Sequence, residues 1–288
     1  MNGRFPLELL APPDPAVLPL PHPARPAPGV RLLRGAAYAV PDGVRPLELD
    51  LWLPEERAAR PLPVVVFVHG GAWRTGLRDD PGPRLREWRP GPFARLVRAG
   101  FAVACPDYRL SGEACHPAQR DDLAAALAWL RTRATELCLD PDRTVLWGES
   151  AGGHLAALTA LTRPAGVRGC VTWYAPTELD PTSTDPGTFE ARLLGAAPAA
   201  DPARARDAGP VAHVTPQAPP FLLLHGAADT IVPCDQSVRL AGALRRAGVP
   251  AGLHLVDGAD HLWVGASEAA VEDCFARTLD FARARLSP

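Results

Sequence analysis

The sequence predicts an α/β fold in which about eight strands form a mostly parallel sheet with helices on both faces. Two features predict it. The runs PVVVFVHGG, FAVACP, TVLWGES, GCVTWYAP and PFLLLHG are almost unbroken apolar stretches, as strands buried on both faces require. Between them lie stretches with apolar residues at helical spacing, so strand and helix alternate along the chain.

Taken in order, residues 1–29 are proline-rich and predict no regular element, only an arm that lies over the body or stays loose. GVRLLRGAAYAV and LELDLWLP come next, split by the turn signal Pro41-Asp42-Gly43, and read as an antiparallel pair at the sheet edge. The parallel part begins at Pro63. Helices are read from PGPFARLVRAG, closing on Gly100, from HPAQRDDLAAALAWLRTRA, from AGGHLAALTALT, and from QSVRLAGALRRAG, ending on Gly248. GLHLVDG is a weaker last strand. Residues 266–286 form a last helix with Val271, Phe275, Leu279 and Leu286 along its apolar side. Residues 175–215 break the alternation with many Pro, Asp and Thr and one short helical piece, TFEARLLG. They read as an insertion that shapes a pocket above the carboxyl ends of the strands, within one domain spanning 30–288.

Composition narrows the function. A net charge of -2 offers no electrostatic case for nucleic acid or an anionic membrane, and every basic residue is arginine. No apolar run reaches the roughly 18 residues of a membrane span, and proline interrupts the apolar part of the N-terminus, so no secretory signal is read. Cys105, Cys115, Cys138, Cys170, Cys234 and Cys274 show neither a CxxC nor zinc spacing with histidine. A reduced, cytoplasmic protein with no metal site is the expectation.

The chemistry is concentrated in LWGESAGGHLA, Leu146 to Ala156. Ser150 follows a strand directly and precedes a helix, the context that a G-x-S-x-G nucleophile elbow requires. Gly148 and Gly152 are explained if the turn brings strand and helix backbones too close for a Cβ. The helix N-terminus behind Ser150 favours negative charge there. A serine nucleophile needs a base, and the base needs an acid, in the chain order Ser, Asp/Glu, His. Asp229 in HGAADTIVP and His261 in DGADHLW sit just past strands, at the same sheet edge as Ser150. Asp235, Asp257 and Asp260 compete with Asp229, which is preferred on its loop position; a sequence neighbour such as Asp260 rarely reaches the imidazole of the next residue. His225 and His254, inside strands, read as packed or lining residues, and His154 as facing backbone. HGGAW, His69 to Trp73, follows the first buried strand, and its glycines free N–H groups for an oxyanion, with a further N–H from Ala151.

Six blocks carry a family resemblance: HGGAW, DYRL (Asp107 to Leu110), PAQRDDLAAALAWLR, DPDRTVLWGESAGGHLA, PFLLLHGAADTIVP and ADH, from about residue 60 to 265. On these the chain resembles α/β-hydrolases of the hormone-sensitive-lipase-like esterase group. It is close to the small esterases that include bifunctional feruloyl/acetyl-xylan esterases and kynurenine formamidases. The resemblance implies Ser150 as nucleophile, His261 as base and Asp229 as acid. It also implies an oxyanion hole from Gly71, Ala72 and Ala151, with Gly70 shaping the turn and Asp107, Tyr108 and Arg109 structural. Many relatives carry a third glycine where this chain has Ala72.

The expected activity is therefore cofactor-free hydrolysis of a small carboxylic ester, with Trp73, Trp173 and Tyr174 lining the pocket. The HGGxW form is similar to the formamidase branch, so hydrolysis of a formamide or other amide stays open. A third possibility is a hydrolase fold serving only as a binding module.

Overall fold

A computed structural model describes residues 12–163 and 165–287. Among the described residues, one sheet contains nine strands: β1 (Pro23–Ala27), β2 (Val30–Ala39), β3 (Leu47–Pro54), β4 (Leu62–Val68), β5 (Ala102–Pro106), β6 (Leu139–Glu149), β7 (Val167–Trp173), β8 (Phe221–Gly226) and β9 (Ala251–Val256). They lie in the order β1-β2-β3-β5-β4-β6-β7-β8-β9. The first three run antiparallel, β3 joins β5 antiparallel, and every pairing from β5 to β9 is parallel.

The extra strand corrects the reading of the proline-rich arm. Pro23–Ala27 pairs with β2, and Gly29, at φ +76°, turns the chain so that Ala27 lies opposite Val30. Proline is tolerated there because an edge strand has one side free of ladder hydrogen bonds. Upstream, the carbonyls of Pro15, Ala16 and Leu18 accept from the Trp129 indole and the Arg133 guanidinium, so residues 14–18 lie over the body. Residues 1–11 of the arm lie outside the described residues.

The helices are α1 (Pro92–Arg98), α2 (Ala118–Thr132), α3 (Ala134–Leu137), α4 (Ala151–Thr162), α5 (Phe189–Leu194), α6 (Pro202–Ala208), α7 (Asp235–Arg246) and α8 (Glu268–Leu286). The apolar run of β4 explains the layering. Val64, Val66 and Val68 point into one core with α2, α4 and α7, whereas Val65 and Phe67 point into a second core with α1 and α8. Side chains alternate along a strand, so only a continuously apolar strand can supply both cores. On α8 the buried side is Val271, Cys274, Phe275, Thr278, Ala282 and Leu286; Leu279 is only half-buried. The 175–215 segment holds two short helices, α5 and α6, where one was expected. Gln236 of α7 anchors its start, its side-chain oxygen accepting from Thr177 and Glu178 N–H groups at 2.8 Å each.

Candidate active site

The parallel strands end level with one another: Val68 pairs with Gly148, Glu149 with Trp173, and Gly226 with Val256. Side chains just past these positions therefore meet at one edge. Ser150 sits between β6 and α4 at φ 50°, ψ −123°, a left-handed conformation that a non-glycine residue adopts only when its surroundings hold it. Its N–H donates to the Trp173 carbonyl at 2.8 Å. The two elbow glycines have different neighbours. A Cβ on Gly148 would stand 2.3 Å from the Gly152 carbonyl oxygen, and one on Gly152 would stand 2.1 Å from that of Val68. The first lets strand and helix turn tightly; the second lets the helix press against the neighbouring strand β4.

The structure brings Ser150, His261 and Asp229 together. Ser150 Oγ is 3.0 Å from His261 Nε2, and His261 Nδ1 is 2.7 Å from Asp229 Oδ2. Nδ1 faces a carboxylate and so carries the proton, which leaves Nε2 as the acceptor for the serine hydroxyl. Asp229 Oδ1 accepts from the Ile231 and Val232 N–H groups at 3.0 and 2.8 Å. Burial alone would raise the Asp229 pKa. Hydrogen bonds from His225, His261 and Val232 reverse this and hold the carboxyl well below the usual carboxylate range.

Of the competing acids, Asp260 meets the backbone rather than the ring. Its Oδ1 accepts from the His261 and Thr230 N–H groups, both at 2.7 Å, so it ties the His261 loop to the Asp229 loop. Asp235 is exposed and pairs with Arg239. His154 is fully buried; Nε2 donates to the Ala208 carbonyl at 2.8 Å and Nδ1 accepts from the Trp73 indole at 3.2 Å. Burial lowers its pKa to about 3, so it stays neutral. His254 does not belong to the core: it is half-buried on β9, with Nε2 3.6 Å from Asp273.

The oxyanion-loop candidates lie opposite. Gly71 (φ 109°), Ala72 (φ 53°) and Trp73 (φ 54°) run left-handed in succession, and the Gly71 carbonyl accepts from the Arg74 and Thr75 N–H groups at 3.0 Å each. A Cβ on Gly71 would lie 2.2 Å from the Thr75 oxygen, so glycine is required there. Gly71, Ala72 and Ala151 all line a cavity of about 580 Å³ that Ser150 and His261 also line. Among the described residues, the N–H groups of Ala72 and Ala151 donate to no backbone carbonyl outside their own elements. Tyr108 supports the loop from below, its hydroxyl donating to the His69 carbonyl at 3.0 Å while its ring stacks on His69. Asp107 accepts from Arg45 and Arg78, and Arg109 pairs with Asp122 at 2.6 Å.

The expected pocket residues divide. Trp73 lines the cavity, although it is almost wholly buried. Trp173 and Tyr174 do not line it, which corrects the sequence expectation. The Trp173 indole donates to Thr278 of α8 at 3.0 Å, and its ring packs on Trp147 and Trp263. Tyr174 stands behind His261 and Glu149, its ring set edge-on to His261 and its hydroxyl donating to Glu149 at 2.5 Å. In their place the lining includes Arg74, Glu149, Phe189, Ile231 and Leu262. Glu149 was visible as the variable residue of the elbow motif; nothing local marked Phe189 or Ile231. Burial pushes the Glu149 pKa up to about 7. Among the described residues, no group of three or more His, Cys, Asp or Glu is arranged to hold a metal ion.

A mostly parallel sheet of this order, with helices on both faces and an elbow at the end of β6, is the α/β-hydrolase fold. The BD-FAE family model matches residues 49–244, and the chain belongs to that family. It is 30% identical to Esterase LipC of Mycobacterium tuberculosis, over 86% of this chain and 68% of that protein. Esterase LipQ of the same organism is 31% identical over 69% of this chain, which spans only about half of LipQ's length (50%). In three dimensions it is similar to a truncated carbohydrate esterase from gut microbiota, with a TM-score of 0.77, 26% identity, and coverage of 89% and 96% of the two chains. It is also similar to Est2, a thermophilic esterase from Thermogutta terrifontis, with a TM-score of 0.72, 25% identity, and coverage of 91% and 95%.

Proposed function

We propose that this chain is a serine carboxylesterase that hydrolyses small carboxylic esters through an acyl-enzyme on Ser150. The observation that carries the reading is the Ser150–His261–Asp229 hydrogen-bonded chain at 3.0 and 2.7 Å on the wall of a 580 Å³ cavity. His261 Nε2 takes the hydroxyl proton as Ser150 Oγ bonds to the ester carbonyl carbon. Asp229, ionised and hydrogen-bonded to Nδ1–H, stabilises the imidazolium that forms. The tetrahedral oxyanion is received by the N–H groups of Gly71, Ala72 and Ala151. His261 then returns the proton to the leaving alcohol, and a water deprotonated by the same ring releases the acid and restores Ser150.

Names and contents of the relatives support an ester as substrate. LipC, LipQ and Est2 are described as esterases. Est2 also has a propionate-bound structure and one phosphoramylated by tabun, each 25% identical to this chain. Phe189 and Glu190 of the 175–215 segment line the cavity, supporting its role in shaping the pocket. No helix among the described residues is long and apolar enough to cross a membrane. The proposed cytoplasmic location rests on the cysteine pattern of the sequence.

The test is initial rates on p-nitrophenyl esters from acetate to decanoate, with N-formylkynurenine alongside, for wild type and Ser150→Ala. Ester activity falling by about 10⁴-fold or more in the mutant is the expected result. Turnover of the formamide alone would move the activity to amide hydrolysis. Ester turnover that survives in Ser150→Ala would overturn the mechanism.

A further inference from the structure

His225, near the end of β8, is fully buried and makes three polar contacts. Its Nε2 lies 2.8 Å from the Val232 carbonyl oxygen and 3.2 Å from Asp229 Oδ2. Both of these atoms only accept, so Nε2 carries a proton; its hydrogen bond runs to the Val232 carbonyl, and Asp229 Oδ2 lies beside that bond in electrostatic contact. Its Nδ1 lies 2.7 Å from the hydroxyl of Ser237, in the first turn of α7 and itself fully buried. In the neutral ring Nδ1 has a lone pair, and the Ser237 hydroxyl donates to it.

The Asp229 carboxylate therefore receives three hydrogen bonds and the close approach of a fourth N–H group. Oδ1 takes the Ile231 and Val232 N–H groups and Oδ2 takes His261 Nδ1–H, while His225 Nε2–H stands 3.2 Å from Oδ2. A carboxylate has about four lone-pair directions, and three of them are taken by these hydrogen bonds. The loop bonds hold Oδ1, while Oδ2 lies between the N–H groups of His261 and His225. Val232 closes the arrangement, since its carbonyl holds His225 while its N–H holds Asp229.

We propose that His225 is a positioning residue for the reaction, its Nε2–H fixing Asp229 Oδ2 on the line of His261 Nδ1, with Ser237 setting the tautomer. This rests on the reading of Ser150, His261 and Asp229 given above. His225 touches neither the ester nor the reacting atoms. It acts through Asp229, so its removal alters kcat and leaves KM nearly unchanged.

The experiment compares wild type, His225→Leu, His225→Gln, Ser237→Ala and Ser150→Ala on p-nitrophenyl acetate. It also records the low-field proton resonance of the His261–Asp229 hydrogen bond. Glutamine places an N–H where Nε2 stands; leucine fills similar space without a donor. Hydrogen-bonded partners behind metal-ligating side chains are worth about 10–100-fold in affinity or activity, and the same scale is expected behind Asp229. His225→Leu is expected to lose that much in kcat, with KM within about two-fold, and to shift or broaden the low-field resonance. His225→Gln should recover most of the loss and the resonance, and Ser237→Ala should fall between. A folded His225→Leu with wild-type kcat and an unmoved resonance overturns the proposal. Equal losses in leucine and glutamine with the resonance unchanged also overturn it, because the role is then only packing. If His225→Leu does not fold, Ser237→Ala and His225→Gln decide: wild-type kcat in the first with loss of activity in the second overturns the proposal. Activity retained in Ser150→Ala instead removes the functional reading beneath it.

Discussion

The two ends of the parallel strands handle left-handed backbone differently. At the amino ends, where helices return to strands, it falls on Gly100, Gly166 and Gly248, with Cys138 the non-glycine exception among the described residues. At the carboxyl ends it falls on Ala72, Trp73, Ser150, Tyr174, Leu262 and Trp263 as well. Glycine enters this region without steric penalty, whereas each other residue costs about 1–3 kcal/mol and persists there only when its surroundings over-determine it. At one edge the chain only has to reverse. At the other it has to reverse and present a side chain from the same residue.

That cost is offset by close packing behind each loop. Tyr174 N–H donates to the Leu224 carbonyl at 2.8 Å, and Trp263 meets both Trp173 and Tyr174 with ring centroids 5.5 and 4.9 Å apart. The Trp73 indole is held by His154. Aromatic pairs of this kind contribute about 0.5–1.5 kcal/mol each beyond their buried area. Strain at the carboxyl edge is thus supported by side chains from α4, α8 and the 257–264 loop.

The sharpest break of this contrast is chemical. Asp229→Asn keeps the loop hydrogen bonds but invites the wrong His261 tautomer, and kcat on an activated ester is expected to drop about 10⁴-fold with the fold intact. A loss below ten-fold would remove Asp229 from the reaction. A second break separates crowding from strain. Gly152→Ala forces a Cβ to 2.1 Å from backbone and should cost about 3 kcal/mol or more in urea unfolding. Gly248→Ala, at φ +78° with nothing within 4 Å, should cost only about 1 kcal/mol. Equal costs would mean that close approach is not what selects glycine at the elbow.

A smaller effect comes from the buried carboxyl beside Ser150. Burial raises Glu149 from 4.5 to about 7, so between those values the folded state keeps a proton that the unfolded chain has released. Stability contributed by this group therefore falls as pH rises through that window and is level above it. Glu149→Gln should remove the slope, and the difference from wild type between pH 4.5 and 7 should reach about 3 kcal/mol at most. Parallel pH curves for the two proteins would refute the assignment. The smallest effect is at Ala72: glycine there relieves a left-handed residue and should raise stability by about 1 kcal/mol in the same urea assay.

Periodicity and turn chemistry are local, and what depends on them was legible in the chain alone. That covers the alternation of strand and helix, the antiparallel pair before Pro63, and the serine held between Gly148 and Gly152. It also covers the placing of Asp229 and His261 just past two strands on the edge where Ser150 stands. What depends on elements far apart in sequence was not legible. Pro23–Ala27 forms a strand only because β2 offers it an open edge. Trp173 turns away from the cavity because its partner Thr278 stands 105 residues on, and Tyr174 turns inward to a carboxyl that burial keeps partly protonated. His225 reads as an ordinary core residue until α7 delivers Ser237 to one ring nitrogen and the loop delivers Asp229 to the other. The sequence by itself determined which residue types stand at the ends of which strands. Only the tertiary structure decided which way their side chains face, because that choice is made by the atoms packed against them.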